Sequence, residues 1–224
     1  MKLLLQAAAT SLLGLVFFGV LLFWPAGTFD YWQAWVFIAV FAVTSSGPTI
    51  YWGLRNPDVL RRRIRSGPTA ETRPVQKVAT VGISASVVAM LVVSALDHRF
   101  GWSQVPTPIV IAGDVLVGVG LGMATLVVGQ NNYAAATVTV EAGQPVVDTG
   151  LYALVRHPMY ASALVMLVGM PLALHSYWGL LILVPCIAAL VLRIGDEEKM
   201  LRQELAGYDE YTHTVHYRLA PGVW

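Results

Sequence analysis

Met159 to Leu192 reads MYASALVMLVGMPLALHSYWGLLILVPCIAALVL, a single apolar block. A bilayer crossing takes about 20 such residues, so the block is too long for one helix and long enough for two. His175-Ser176-Tyr177 interrupts it. The sequence therefore predicts a tight helical hairpin that turns near His175. A hairpin returns its two ends to one membrane face. Residues near 157 and near 193 then become neighbours, although the whole block separates them.

The rest of the chain repeats this pattern. Apolar stretches run from Leu3 to Trp24, from about Tyr31 to Leu54, from Val78 to Leu96 and from Pro108 to Gly129. With the hairpin they make about six transmembrane helices, an all-α integral membrane fold with a helical C-terminal tail. The first stretch exceeds a signal peptide's apolar core, and Trp24-Pro25-Ala26 is not a small-x-small cleavage site. Of 224 residues, 56% are hydrophobic and 12% charged, and mean hydropathy is +0.64. That is about half the usual charged share, too little to cover a water-soluble domain. Net charge of +1 gives no global field for nucleic acid. One cysteine, Cys186, excludes an intrachain disulfide and a cysteine-built zinc site.

Basic residues set the expected orientation. Arg55, Arg61, Arg62, Arg63, Arg65, Arg73 and Lys77 fall in the 55–77 loop. The positive-inside rule makes that loop cytoplasmic. Six crossings then put both termini and the 130–157 segment on the same side, leaving only Arg99 outside. A multi-pass protein of the plasma or inner membrane is expected. The Arg61-Arg62-Arg63-Ile64-Arg65 run is read as a topology signal that also meets anionic headgroups. Gly118 and Gly122 are read as a small-xxx-small packing face. Asp114, in the same helix, is an intramembrane acid and a functional candidate, within reach of the outer interface. His213 and His216 are read as solvated tail, with no metal expected.

Polar residues with chemical potential gather at both ends of the hairpin. One group runs from Asp148 through Gly150, Tyr152, Arg156, His157, Pro158 and Met159 to Tyr160. Pro158 suits the first helical position, where its missing N–H costs nothing. His157 then sits at or near the N-cap, and the free N–H groups of the first turn form an anion site. The other group is Arg193, Asp196, Glu197 and Glu198, followed by Gly207, Tyr208 and Tyr211. Carboxylates at a helix C-terminus oppose its dipole, so they call for a continuing helix or a cation among them.

Gly150-x-Tyr152-x-x-x-Arg156-His157-Pro158-x-Tyr160 resembles the signature of the isoprenylcysteine carboxyl methyltransferase family, and phospholipid methyltransferases share a related pattern. Arg193 with Glu197-Glu198, Leu201, Gly207, Tyr208, Tyr211, Arg218 and Pro221 extends the resemblance over roughly 110–224. It divides the chain into N-terminal helices, 1–107, and a methyltransferase core, 108–224. It implies S-adenosylmethionine as cofactor. By position, Gln144, Pro145, Val146, Val147, Tyr152, His157, Pro158, Met159, Tyr160 and Glu197 would contact the cofactor. Arg193 would face the methyl acceptor. Thr137 matches only weakly and is not included.

The chemistry of these residue types agrees. A helix N-terminus beside His157 suits the cofactor's carboxylate. Glu197 suits its amine and ribose hydroxyls. Aromatic faces such as Tyr152 or Tyr160 stabilise a sulfonium. Methyl transfer mostly requires two reactants held in contact. The expected acceptor is lipophilic, with an isoprenylcysteine-like carboxylate first. A carboxylate is already ionised at neutral pH and needs no base, and Arg193 offers it a planar fork. A lipid amine is the alternative, and it would need a base, for which Glu198 is the candidate. A transporter or scaffold is the reading from another class. The expected partners are the acceptor and membrane lipids, with no nucleic acid.

Overall fold

The computed structural model describes residues 2–64, 67–134, 136–141 and 143–224, and at residues 2–8, 11, 63 and 64 it describes the backbone alone. Arg65 lies outside the described residues, as does the side chain of Arg63. The described residues form helices and loops with no strand. The helices are α1 (Lys2–Ala26), α2 (Trp32–Arg55), α3 (Pro57–Ile64), α4 (Pro74–Phe100), α5 (Thr107–Gln130), α6 (Pro158–Ala173), α7 (Trp178–Leu181), α8 (Leu183–Glu204) and α9 (Tyr208–Thr214). A short 3-10 turn, Gly150–Ala153, precedes α6.

Four helical stretches are long and apolar enough to cross a membrane: α2, α4, α5 and the run Trp178–Glu204. Leu12–Ala26 and Pro158–Ala173 are apolar but shorter. At about 1.5 Å per residue, the 16 residues of α6 fall short of a hydrocarbon core about 30 Å thick. Length and composition thus mark four candidate crossings among the described residues, and they do not confirm the expected six. The chain does reverse after α6, where His175 takes a positive φ of 59°. The two arms then part. α6 lies on α5 and α8 lies on α4, and α6 and α8 touch only lightly.

Glycines explain the α5–α6 pairing. A Cβ on Gly113 would meet the Ala173 nitrogen at 2.3 Å, and one on Gly120 would meet Ser162 O and Met166 N at 2.7 Å. Gly169 approaches Gly113 O as closely, at 2.6 Å. Backbone thus packs on backbone, which maximises dispersion where lipid tails supply no hydrophobic drive. Residues 113 and 120 are two turns apart and share a face. Gly118 and Gly122, expected as the packing pair, lie elsewhere. Gly118 meets only Val40 and Thr44 of α2 at ordinary contact distance, and Gly122 has open space.

Asp97 closes one end of the bundle. Its buried carboxylate accepts the Ser103 N–H, the Ser103 hydroxyl and the Ser176 hydroxyl, each at 2.6 Å. The Tyr31 hydroxyl donates to Leu174 O at 2.6 Å beside it. Those bonds tie the start of α2, the end of α4 and the turn after α6 together. Asp114 is 7% exposed within α5, and its Oδ1 has no hydrogen-bond partner among the described residues.

Gly120→Val should cost about 1–3 kcal/mol of stability through overpacking, whereas Gly122→Ala should be neutral. Thermal unfolding of both variants in one detergent checks this, and equal melting temperatures would contradict the assigned face.

Candidate active site

The opposite end of the bundle gathers the start of α6, the end of α8, the 131–157 segment and the tail. His157 is the residue before α6, and Pro158 is its first helical position. No side chain caps that first turn. The tail instead runs beside it: the N–H groups of Arg156 and His157 donate to Tyr217 O and Arg218 O, both at 2.9 Å. α8 continues to Glu204, so Glu197 and Glu198 lie inside it rather than at its end.

Glu198 is 5% exposed and ringed by cations. Arg156 Nη1 lies 3.1 Å from Oε1, His157 Nε2 lies 3.2 Å from the same oxygen, and Arg218 Nη2 lies 3.0 Å from Oε2. A buried carboxylate needs such partners to remain charged. One residue thereby fixes the motif before α6, the end of α8 and the tail. Burial raises its carboxyl, but the hydrogen bonds from His157 and Arg218 and the Arg156 charge outweigh it and hold the group down at about 2, which opposes a role as proton acceptor for an amine.

Arg193, one turn before Glu197, sits in a second buried network. Its Nε donates to the Tyr160 hydroxyl at 2.9 Å, Nη1 donates to Thr80 Oγ1 at 2.6 Å, and Nη2 donates to Ala136 O at 3.1 Å. Nη2 also lies 2.8 Å from Glu71 Oε1. The Tyr160 hydroxyl donates in turn to Glu197 Oε2 at 2.5 Å. A chain Glu71–Arg193–Tyr160–Glu197 results. Glu71 comes from the basic loop, where seven cations masked it in the sequence. It and Asp58 are the two acids of that loop, and neither carries a motif or a spacing to flag it.

Both networks border one pocket of about 200 Å³. Gln144, Pro145, Val146, Val147, Tyr152, His157, Pro158, Met159, Tyr160, Arg193 and Glu197 all line it. The walls also include Tyr208 and Tyr211 of the tail pattern, the weakly matching Thr137, and Asn131, Tyr133, Val138, Met200 and Leu205, which the motif spacing does not single out. The tail forms one wall. Leu205, Tyr208, Tyr211 and Val215 pack with Val140, Val146 and Leu201, and the Tyr211 hydroxyl donates to Tyr152 O at 2.7 Å. Burial, then the neighbouring Tyr152, holds that hydroxyl above the usual phenol range, so it stays a donor.

Two local details explain the segment between α5 and α6. Gly150 has φ of 61°, and a Cβ there would lie 2.6 Å from the Gln130 amide, whose Oε1 accepts the Leu151 N–H at 2.9 Å. Only glycine fits the turn. From α3, Arg62 grips Glu141 with Nε and Nη2 at 2.7 and 2.8 Å and reaches Asn132 O at 3.2 Å. Its hydrogen bonds hold the Glu141 carboxyl below the usual range. Part of the basic run thus anchors the pocket's outer segment.

A larger cavity of about 370 Å³ lies between α1, α2, α3 and α5. Its walls include Phe18, Phe41, Leu60, Leu121 and Val128, with no charged side chain among the described residues. The Thr44, Ser45, Thr49 and Thr125 hydroxyls there donate to carbonyls four residues back, leaving the walls largely apolar.

Residues 108–206 match the phospholipid methyltransferase family. That family includes the isoprenylcysteine carboxyl methyltransferases. The matched segment runs from α5 to the end of α8 and contains all eleven expected site residues. It indicates an S-adenosylmethionine-dependent methyltransferase acting on lipid or membrane substrates. No curated protein matches the chain.

Glu198→Gln should strip Arg156 and Arg218 of their shared counter-charge and cost about 3 kcal/mol. A melting temperature unchanged from wild type, with exposed Glu210→Gln as control, would contradict that assignment.

Proposed function

We propose that this protein transfers a methyl group from S-adenosylmethionine to the head of a lipophilic acceptor at the membrane face. One observation carries the reading: eleven positions nominated by motif spacing, from three separated stretches, line a single pocket. The residues suit the cofactor. The uncapped first turn of α6 with His157 fits its carboxylate. Glu197, bonded to the neutral Tyr160 hydroxyl, accepts its amine. Gln144 to Val147 and Met159 offer apolar walls, and Tyr152 and Tyr160 offer aromatic faces for a sulfonium. When bound, the cofactor supplies an electrophilic methyl group for in-line displacement.

The chain's own part is positioning and exclusion of water. Arg193 lies deeper along α8 than Glu197, on the side from which a lipid-tailed acceptor arrives. A carboxylate acceptor is the first reading. It needs no base, and the buried acids that would serve an amine are committed: Glu198 to Arg156, His157 and Arg218, and Glu71 to Arg193 and the Val138 N–H. A lipid amine is the second reading, favoured by one observation: every nitrogen of the Arg193 guanidinium already has a protein partner. The larger cavity, apolar and within the N-terminal helices, suits part of the acceptor's hydrocarbon tail. In this scheme residues 108–224 form the methyltransferase core, and 1–107 supply walls and the clamp on Arg193. The concentration of basic residues at the site end supports a cytoplasmic active site with both termini beside it, in the plasma or inner membrane.

His157→Ala and Glu197→Gln should each weaken S-adenosylmethionine binding by about 1.5–3 kcal/mol, the range for a charge-assisted hydrogen bond. Calorimetry on the purified protein measures it, and wild-type affinity in both variants would put the pocket elsewhere. With methyl-labelled cofactor and native membranes, a carboxylate acceptor yields label that alkali releases as methanol. Label that resists alkali and stays with the lipid would establish the amine reading instead.

A further inference from the structure

Residues 71–76 clasp one turn of α8. Glu71 Oε1 holds Arg193 Nη2 at 2.8 Å. Arg73 grips Asp196 with two bonds, at 2.8 and 2.7 Å. The Gln76 amide donates to Arg193 O at 3.0 Å and to Asp196 Oδ2 at 2.9 Å. The last two contacts join backbone and carboxylate and fasten α4 to α8. Glu71 differs, because it touches the side chain that faces the pocket.

Glu71 is itself absent from the pocket wall, whereas Arg193, Ala136 and Val138 belong to it. Its side chain is 1% exposed. It therefore acts from behind. One oxygen neutralises and aims the guanidinium, and the other accepts the Val138 N–H at 3.2 Å. Arg193 in turn donates to Ala136 O. The acid thus fixes two adjacent parts of the wall at once: the cation and the 136–138 segment beside it. A buried guanidinium without its counter-charge would be strongly disfavoured and would shift toward other acceptors, of which Glu197 is within reach through Tyr160.

We propose that Glu71 is a positioning residue for acceptor recognition, holding Arg193 and the 136–138 wall in the geometry that receives the acceptor head. This rests on the reading that Arg193 faces the acceptor. It gives the N-terminal half of the chain, which lies outside the matched segment, a defined part in the reaction.

The test uses the full chain and needs no prior identity for the acceptor. A lipid extract of native membranes is diluted into inert mixed micelles, and labelled methyl transfer is followed against its mole fraction. Glu71→Gln keeps the shape and an acceptor for Val138 but loses the charge. It should raise the half-saturating mole fraction about tenfold, while calorimetric affinity for S-adenosylmethionine stays within about twofold. Glu71→Asp should restore part of the loss. Arg193→Lys should give a similar shift, and the double variant should be no worse than the single ones, because both act on one interaction. Arg73→Ala should lower the melting temperature without moving the acceptor dependence. If Glu71→Gln does not fold, an intermediate shift in Glu71→Asp carries the same inference. Wild-type acceptor dependence in the Glu71 variants, with Arg193→Lys impaired, would overturn the role of Glu71 and leave the methyltransferase reading standing. Losses that add independently would overturn it as well. Absence of any transfer by the wild type would overturn the methyltransferase reading and this inference with it.

Discussion

A guanidinium 6% exposed inside an apolar bundle has to be compensated on every side. Arg193 sets that demand, and four separated parts of the chain answer it. Glu71 comes from the loop before α4, Thr80 from α4, Ala136 from the segment after α5, and Tyr160 from the first turn of α6. No neighbour along α8 supplies these groups. The site end of the bundle is therefore specified by one buried charge, and Glu198 repeats the principle with opposite sign one helical turn further on.

The two ends of the bundle treat polarity differently. At the Asp97 end, one carboxylate accepts three donors from Ser103 and Ser176. At the other end the networks border a pocket, an uncapped helix start lines it, and Glu197 meets it beside the Tyr160 hydroxyl. A satisfied network rigidifies, whereas a network left with open valences at a cavity is equipped to take a ligand. Between the ends, close backbone packing at Gly113, Gly120 and Gly169 keeps α6 fixed against α5. That contact sets where Pro158 and Tyr160 stand, and so links the lipid-embedded part of the fold to the chemistry at its edge.

Much of this was legible from the residues. The interruption at His175 announced the reversal, and the reversal brought 157 and 193 to one end. Tyr152 to Tyr160 of the Gly150–Tyr160 motif and Glu197 of the acidic pair supply lining of one pocket, and Gly150 is glycine because the Gln130 amide occupies the place of a Cβ. Other features were hidden for physical reasons. Hydropathy counts apolar residues but does not tell which face of α5 meets α6, so Gly118 and Gly122 stood out while Gly113 and Gly120 did the packing. It also gave no measure of how early α6 would stop. Glu71 was hidden because its partner lies far along the chain, and long-range ion pairs leave no local pattern. The carboxylates at 197 and 198 looked alike, yet one is locked by Arg156, His157 and Arg218 and the other faces the pocket through Tyr160.

The central claim is that the methyl donor binds between the start of α6, the end of α8 and the tail. Photo-cross-linking of labelled S-adenosylmethionine to the purified protein, followed by peptide mapping, tests it most directly. The account predicts label in the peptides spanning 144–160 and 193–211, suppressed by excess unlabelled cofactor. Suppressible label in α1 and α2 instead, around the larger cavity, would contradict it.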